Sequence, residues 1–148
     1  MGSMRSIHSK LLPVVLLAAA ATALAAVPAS AAVDDSFVAS TTDTCGTVNF
    51  IDYGPGAAGG GNNDDYLVIH DNCPDGHGVR AWAYLNGVGI GTQYNGNGNG
   101  SAVVWDPFQA HGNVDAGDWV SVLVCLVDGA GDTGGSHCLL KQQESVDG

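Results

Sequence analysis

Basic side chains are scarce in this 148-residue chain, which carries four Lys and Arg residues against fifteen Asp and Glu residues. Two of the four lie within the first ten positions, inside a predicted export signal. After that signal, Arg80 and Lys141 alone oppose fifteen carboxylates, a formal net charge of −13. Such a field repels phosphate groups and anionic lipid headgroups. We therefore expect neither nucleic acid nor a membrane surface among the partners.

Strong helix formers are also missing. Beyond residue 31 the chain has one Glu, one Lys and 21 of its 22 glycines. Val, Tyr, Trp and Thr instead recur in short runs separated by Gly, Asn and Asp, which is typical of strands and turns. The composition therefore predicts an all-β protein.

Catalytic and metal-binding motifs are absent as well. The chain has no G-x-S-x-G elbow, no C-x-x-C pair and no EF-hand spacing, so we predict no enzyme, no thiol redox site and no zinc site. Loop aspartates leave a structural calcium ion as the one candidate cofactor, since this hard cation binds clustered oxygen atoms. The candidate ligands are Asp64, Asp65, Asp71 and Asp75. The alternative is solvated turns in which each carboxylate bonds its own backbone.

The first 31 residues have the features of a secretory signal peptide. Arg5 and Lys10 precede an apolar stretch, 11–27, and small residues follow at 29–31. Cleavage after Ala31 would release an extracellular mature chain with no membrane attachment. The alternative is a membrane anchor, although seventeen apolar residues stand at the lower limit for crossing a bilayer.

Four cysteines in a small exported domain predict two disulfides. Three pairings are open, and two hairpins favour Cys45 with Cys73 and Cys125 with Cys138. The first hairpin aligns Tyr53 with Asp65 and Phe50 with Val68, and the second aligns Val127 with Ser136. In both registers the cysteines lie directly opposite each other, at bridging distance.

Short apolar runs predict seven strands and an optional eighth. Together they favour a small antiparallel β-sandwich, immunoglobulin-like or similar, over residues 45–148. Residues 32–44 would precede it as an extended arm or an edge strand. Two connections, 54–64 and 95–100, are rich in glycine. The predicted strands are 46–53, 65–72, 79–85, 88–94, 101–105, 118–128 and 135–141, with the optional one at 36–40.

Asn86-Gly87 is the strongest local turn signal, because a tight hairpin turn requires positive φ at both positions. The register it predicts pairs Tyr84 with Gly89, Trp82 with Gly91 and Arg80 with Gln93, and it turns Val79, Ala81, Ala83 and Leu85 towards the core. Aromatic residues beside glycines can shield the backbone or lie under a second layer. If they are exposed, Trp82, Tyr84 and Arg80 are candidates for binding a partner.

Three segments resemble a family of secreted actinobacterial proteins: TCGTVNFIDYGPG from Thr44, NNDDYLVIHDNC ending at Cys73, and VCLVDGAGDT from Val124. The family is the small adaptor subunit of streptomycete umbrella toxin particles. The resemblance implies a non-catalytic protein that joins a lectin-bearing subunit to a large toxin polypeptide. It also implies that an amino-terminal segment docks into a partner, which makes Phe37 and Val38 candidate contacts. The alternative functions are a secreted carbohydrate- or ligand-binding sandwich and a protease inhibitor.

Overall fold

The computed structural model describes residues 34–52 and 65–146. The predicted signal peptide, Tyr53 and the whole 54–64 loop, which includes the calcium candidate Asp64, lie outside these residues. Within them, no helix has the length and apolar character needed to cross a membrane.

Two four-stranded antiparallel sheets make up the described domain. The strands are β1 Phe37–Ser40, β2 Gly46–Ile51, β3 Tyr66–Asp71, β4 Gly78–Leu85, β5 Val88–Asn95, β6 Ala102–Trp105, β7 Trp119–Val127 and β8 Ser136–Glu144. The first sheet has the order β1-β2-β3-β6 and the second has the order β5-β4-β7-β8. A three-residue 3-10 turn, Gln109–His111, lies between β6 and β7. The predicted all-β antiparallel sandwich with two disulfides is confirmed.

The core lies between the two sheets and follows the two-residue alternation of the strands. Phe50 is at its centre, with its ring centroid 5.3 Å from that of Phe37 and 5.6 Å from that of Phe108. Phe108 comes from the β6–β7 connection, so a loop completes the core. Each large apolar side chain buried in this way contributes about 1.5–3 kcal/mol. The other core residues include Val48, Leu67, Ile69, Val79, Ala81, Ala83, Leu85, Val114, Val120, Val122, Val124 and Leu126.

The β2–β3 register differs by one residue from the prediction. Phe50 pairs with Leu67 and not with Val68. Opposed residues of an antiparallel pair share one face, and both Phe50 and Leu67 are buried, so the core selects this register. The predicted register assumed directly opposed cysteines. The Cys45–Cys73 bridge does form, just beyond the paired segments of β2 and β3. The two cysteines are one residue out of direct opposition, and their Cα atoms are 5.0 Å apart.

A β-bulge changes the predicted β4–β5 register. The turn-proximal pairs, Leu85 with Val88 and Tyr84 with Gly89, form as predicted. The register then shifts, so Trp82 faces Thr92 and Arg80 faces Tyr94. The predicted Trp82–Gly91 and Arg80–Gln93 pairs are therefore wrong. An extra residue in one strand, here Ile90, produces such a shift, and no turn signal reveals it.

The β7–β8 hairpin has the predicted disulfide, Cys125–Cys138. The six residue pairs from Trp119–Glu144 to Val124–Leu139 have the predicted alignment. At the cysteines a second bulge intervenes, with His137 at φ 51°, so Ser136 faces Leu126 and not Val127. The predicted connectivity is confirmed, and the predicted local pairing is wrong by one residue.

Candidate functional site

An apolar row crosses the outer face of the second sheet. Trp82 of β4 faces Leu123 of β7, and Leu123 faces Leu140 of β8. Trp119, four residues before Leu123 on β7, points to the same face by the strand alternation. Leu140 is 56% exposed and Trp119 is 42% exposed, whereas Trp82 and Leu123 are half-buried. We call these four side chains the apolar band.

Tyr84 lies beside the apolar band and has the shielding role that the sequence suggested. A Cβ atom on Gly89, its cross-strand neighbour, would contact the Tyr84 ring at 3.7 Å. The Tyr84 side chain is half-buried. Trp82 has no such glycine, because its cross-strand partner on β5 is Thr92. Tyr84 therefore covers backbone, while Trp82 contributes to the band.

Arg80 is buried and is not an exposed contact residue. Its guanidinium carbon lies 5.8 Å from the Trp82 ring centroid and 5.5 Å from that of Tyr94. Its terminal nitrogen donates to the carbonyl of Ala130, in the β7–β8 connection. Cation–π contacts of this kind contribute about 0.5–2 kcal/mol each. Arg80 thus contacts the Trp82 ring and is not itself exposed.

The predicted amino-terminal arm contains the edge strand β1. Phe37 is buried against Phe50, so its side chain packs the core and is not available to a partner. Val38 points outward from the first sheet and is 54% exposed. The backbone before β1 is also fixed, since Val146 donates its amide hydrogen to the Asp35 carboxylate at 2.7 Å. Of the two arm candidates, Val38 alone is on the surface.

Four connections gather at one end of the sandwich: 41–45, 72–77, 96–101 and 128–135. The Cys45–Cys73 disulfide links the first two. His77 Nδ1 lies 2.6 Å from the Asp128 carboxylate and links the second to the fourth. We call this region the loop end. Binding residues commonly lie on loops held by a rigid scaffold.

The loop end also brings a hydroxyl, a histidine and a carboxylate together, but without the geometry of a catalytic triad. Thr42 Oγ1 lies 3.3 Å from His137 Nδ1, and Asp43 Oδ2 lies 3.6 Å from the same nitrogen. A triad histidine contacts its nucleophile and its carboxylate through different ring nitrogens. Both contacts here fall on Nδ1, so this group does not form a proton relay.

The three calcium candidates within the described residues, Asp65, Asp71 and Asp75, do not form a common cluster. Asp65 precedes β3 and accepts from the Val114 amide at 3.2 Å, while Asp71 ends the same strand, about 20 Å away at the usual rise per residue. Asp75 accepts from its neighbour His77 at 2.9 Å. Asp75 also lies near the sulfurs of Cys45 and Cys73. Those sulfurs are bonded to each other, so they are not thiolate ligands.

Other turn aspartates bond the surrounding backbone and side chains. The Thr41 hydroxyl, which donates to Asp43 at 2.6 Å, holds the pKa of that carboxyl below its ordinary value. The Asn86 amide has the same effect on the pKa of Asp118 at 2.7 Å. The backbone amides of Asp128 and Gly134 lower the pKa of Asp132. These carboxylates serve the turns, as solvated turn residues do.

Comparison with known proteins gives no relative from which a role could be transferred. Fold alone does not fix function, so the function has to be argued from the apolar band and the loop end. No protein-family model, curated protein or solved structure matches this chain.

Proposed function

We propose that this protein is a secreted, non-catalytic binding module, an adaptor subunit of an extracellular multi-protein antibacterial toxin particle. The observation that carries the proposal is the apolar band. Its most exposed members, Trp119 and Leu140, leave apolar side-chain surface in water on the outer face of the second sheet. Exposed apolar surface is a feature of interaction sites.

Two of the four band residues are tryptophans, a residue type enriched among those that dominate binding energy. The guanidinium carbon of Arg80 lies 5.8 Å from the centroid of the Trp82 ring. Holding Trp82 in place before binding reduces the side-chain entropy lost on association. Neighbouring strands are about 4.8 Å apart, so the row from Trp82 to Leu140 spans about 10 Å. This width suits the centre of a protein contact.

The partner class follows from resemblance and compartment. The two disulfides suit an oxidising environment such as the outside of the cell. The resemblance to umbrella toxin adaptors suggests a lectin-bearing subunit and a large toxin polypeptide as the partners. The acidic surface would favour partner faces with basic rims, since complementary charge speeds encounter.

A matched pair of surface variants tests the proposal. Leu140→Glu places a charge within the band, and Val104→Glu places the same charge on the outer face of the first sheet. We expect the native protein to elute from culture supernatant in a complex larger than its monomer. Leu140→Glu should abolish that complex, and Val104→Glu should retain it. Elution of the native protein as a lone monomer would refute the adaptor role.

A second candidate function is carbohydrate binding. Trp119 is 42% exposed on a flat strand, and exposed aromatic rings can stack on sugar faces. This candidate predicts that glycans change tryptophan fluorescence in the wild type and not in Trp119→Ala. No response across a broad glycan panel would exclude it.

A further inference from the structure

A pocket of about 290 Å³ opens at the loop end, between the β3–β4 and β5–β6 connections. The larger polar and aromatic side chains of its walls belong to Asp71, His77, Tyr94 and Asn99. Glycines form much of the rest. A Cβ atom on Gly96 would overlap the Tyr94 ring, so the loop packs closely against that ring. The pocket does not include the apolar band.

Asp71 lines this pocket and has one carboxylate oxygen without a hydrogen-bond donor. The residue is 2% exposed, and its Oδ1 accepts from the Cys73 amide at 3.3 Å. Its backbone is also fixed, since its carbonyl accepts from the Gly100 amide at 2.7 Å. Its Oδ2 is buried and has no hydrogen-bond donor. Burying a carboxylate oxygen without a donor costs free energy, and a positively charged ligand beside it would offset that cost.

The chemistry of the walls favours an organic cation over a metal ion. Calcium needs six to eight oxygen ligands. Among the described residues, Asp71 belongs to no cluster of three acidic, histidine or cysteine side chains close enough to share an ion. The pocket is far larger than a bare ion, and one wall is the ring of Tyr94, which already lies 5.5 Å from the guanidinium carbon of Arg80, a contact of the kind that aromatic rings make with organic cations.

We propose that this pocket binds an organic cation, the ammonium or guanidinium group of a basic side chain, with Asp71 as its counter-charge. The inference rests on the proposed function, because it gives the binding module a basic partner segment. Oδ2 has no solvent-accessible surface, so part of the pocket wall must shift to admit the cation. Glycines at 96 and 98 lack the side chains that would restrict such a shift.

The test is an NMR titration of the ¹⁵N-labelled protein with three probes: propylammonium, methylguanidinium and calcium chloride. We expect saturable shifts of the Gly96, Gly98 and Gly100 amides with the two organic cations. Asp71→Asn keeps the Oδ1 acceptor for Cys73 but removes the charge. It should weaken binding by about tenfold or more, as expected for loss of a charge-assisted contact.

A second pair of variants leaves Asp71 intact. Asn99→Lys places an ammonium group on the pocket wall, whereas Asn97→Lys adds the same charge two residues away, outside the lining. Asn99→Lys should compete with propylammonium and weaken its binding by about tenfold, and Asn97→Lys should leave binding within about twofold. Absence of saturable shifts, equal binding by Asp71→Asn, or a response to calcium alone would overturn the inference. These probes need no partner, so such a failure would leave the Leu140→Glu test of the proposed function standing.

Discussion

Removing the Cys45–Cys73 bridge tests how far covalent links hold the loop end. The bridged residues are 28 apart in sequence. In the chain-entropy model, closing a loop of that size lowers the entropy of the unfolded chain by about 12 cal/mol/K, or about 3.6 kcal/mol at 25 °C. Both cysteines are half-buried, so Cys45→Ala/Cys73→Ala loses little packing besides this contribution. We therefore expect the unfolding free energy to fall by about 3.6 kcal/mol.

The matched comparison is Cys125→Ala/Cys138→Ala. That bridge spans 13 residues, which corresponds to about 3 kcal/mol in the same model. Cys125, however, is fully buried, so loss of its sulfur adds about 1 kcal/mol of lost apolar contact. The two variants should therefore lose similar stability for different reasons, one through the unfolded chain alone and the other partly through native packing.

Urea unfolding of the disulfide-bonded protein without reductant, followed by tryptophan fluorescence, measures both losses. The slope against urea should also rise, because an unfolded chain without the cross-link exposes more surface. The entropy of unfolding of a domain of this size is about 0.25 kcal/mol/K near its melting temperature. In a thermal scan the Cys45→Ala/Cys73→Ala variant should therefore melt about 15 °C lower. A loss below about 1 kcal/mol would refute the entropy argument, since it would mean that the unfolded chain is already compact across this segment.

Two further expectations concern the core and the turns. Phe108→Ala should lower stability by about 3–5 kcal/mol in urea unfolding, because Phe108 fills the core beside Phe50; a cost below about 1 kcal/mol would contradict its role in the core. Acidification should also destabilise the fold, because the pKa values of Asp43, Asp118 and Asp132 are lowered in the folded state. Their contribution is complete above the unfolded pKa near 4 and is lost as the pH falls through the lower folded values. Urea midpoints between pH 7 and pH 3 measure this effect, and a flat profile would contradict it.

Local sequence features were sufficient for most of the fold. Asn86-Gly87 located one hairpin and its first two pairs, since the turn requires positive φ and few residues tolerate it. Alternating apolar residues on β4 identified its core face. Cysteines flanking two predicted hairpins identified both disulfides.

What the sequence did not show depends on contacts between elements. The bulge at Ile90 moves Trp82 from Gly91 to Thr92, and no local propensity distinguishes a bulged strand from a regular one. Phe108 follows Pro107 in a loop, outside any strand periodicity, so its local sequence does not predict that it is buried. It joins the core through its contact with the Phe50 ring. Alternation placed Arg80 on the outer face but left its exposure open, and the Ala130 carbonyl of the β7–β8 connection accepts a hydrogen bond from it in a buried site.

The two proposed recognition surfaces would contribute to different steps of binding. Among the described residues Arg80 and Lys141 are the only Lys or Arg side chains, and Arg80 is buried, so the exposed surface has almost no fixed positive charge. A strongly acidic surface attracts a basic partner at long range and raises its association rate, but water and salt screen that attraction. The lifetime of a complex depends instead on desolvated contacts. On this module the apolar band from Trp82 to Leu140 would supply those contacts, with the Asp71 pocket adding a specific charge at the loop end.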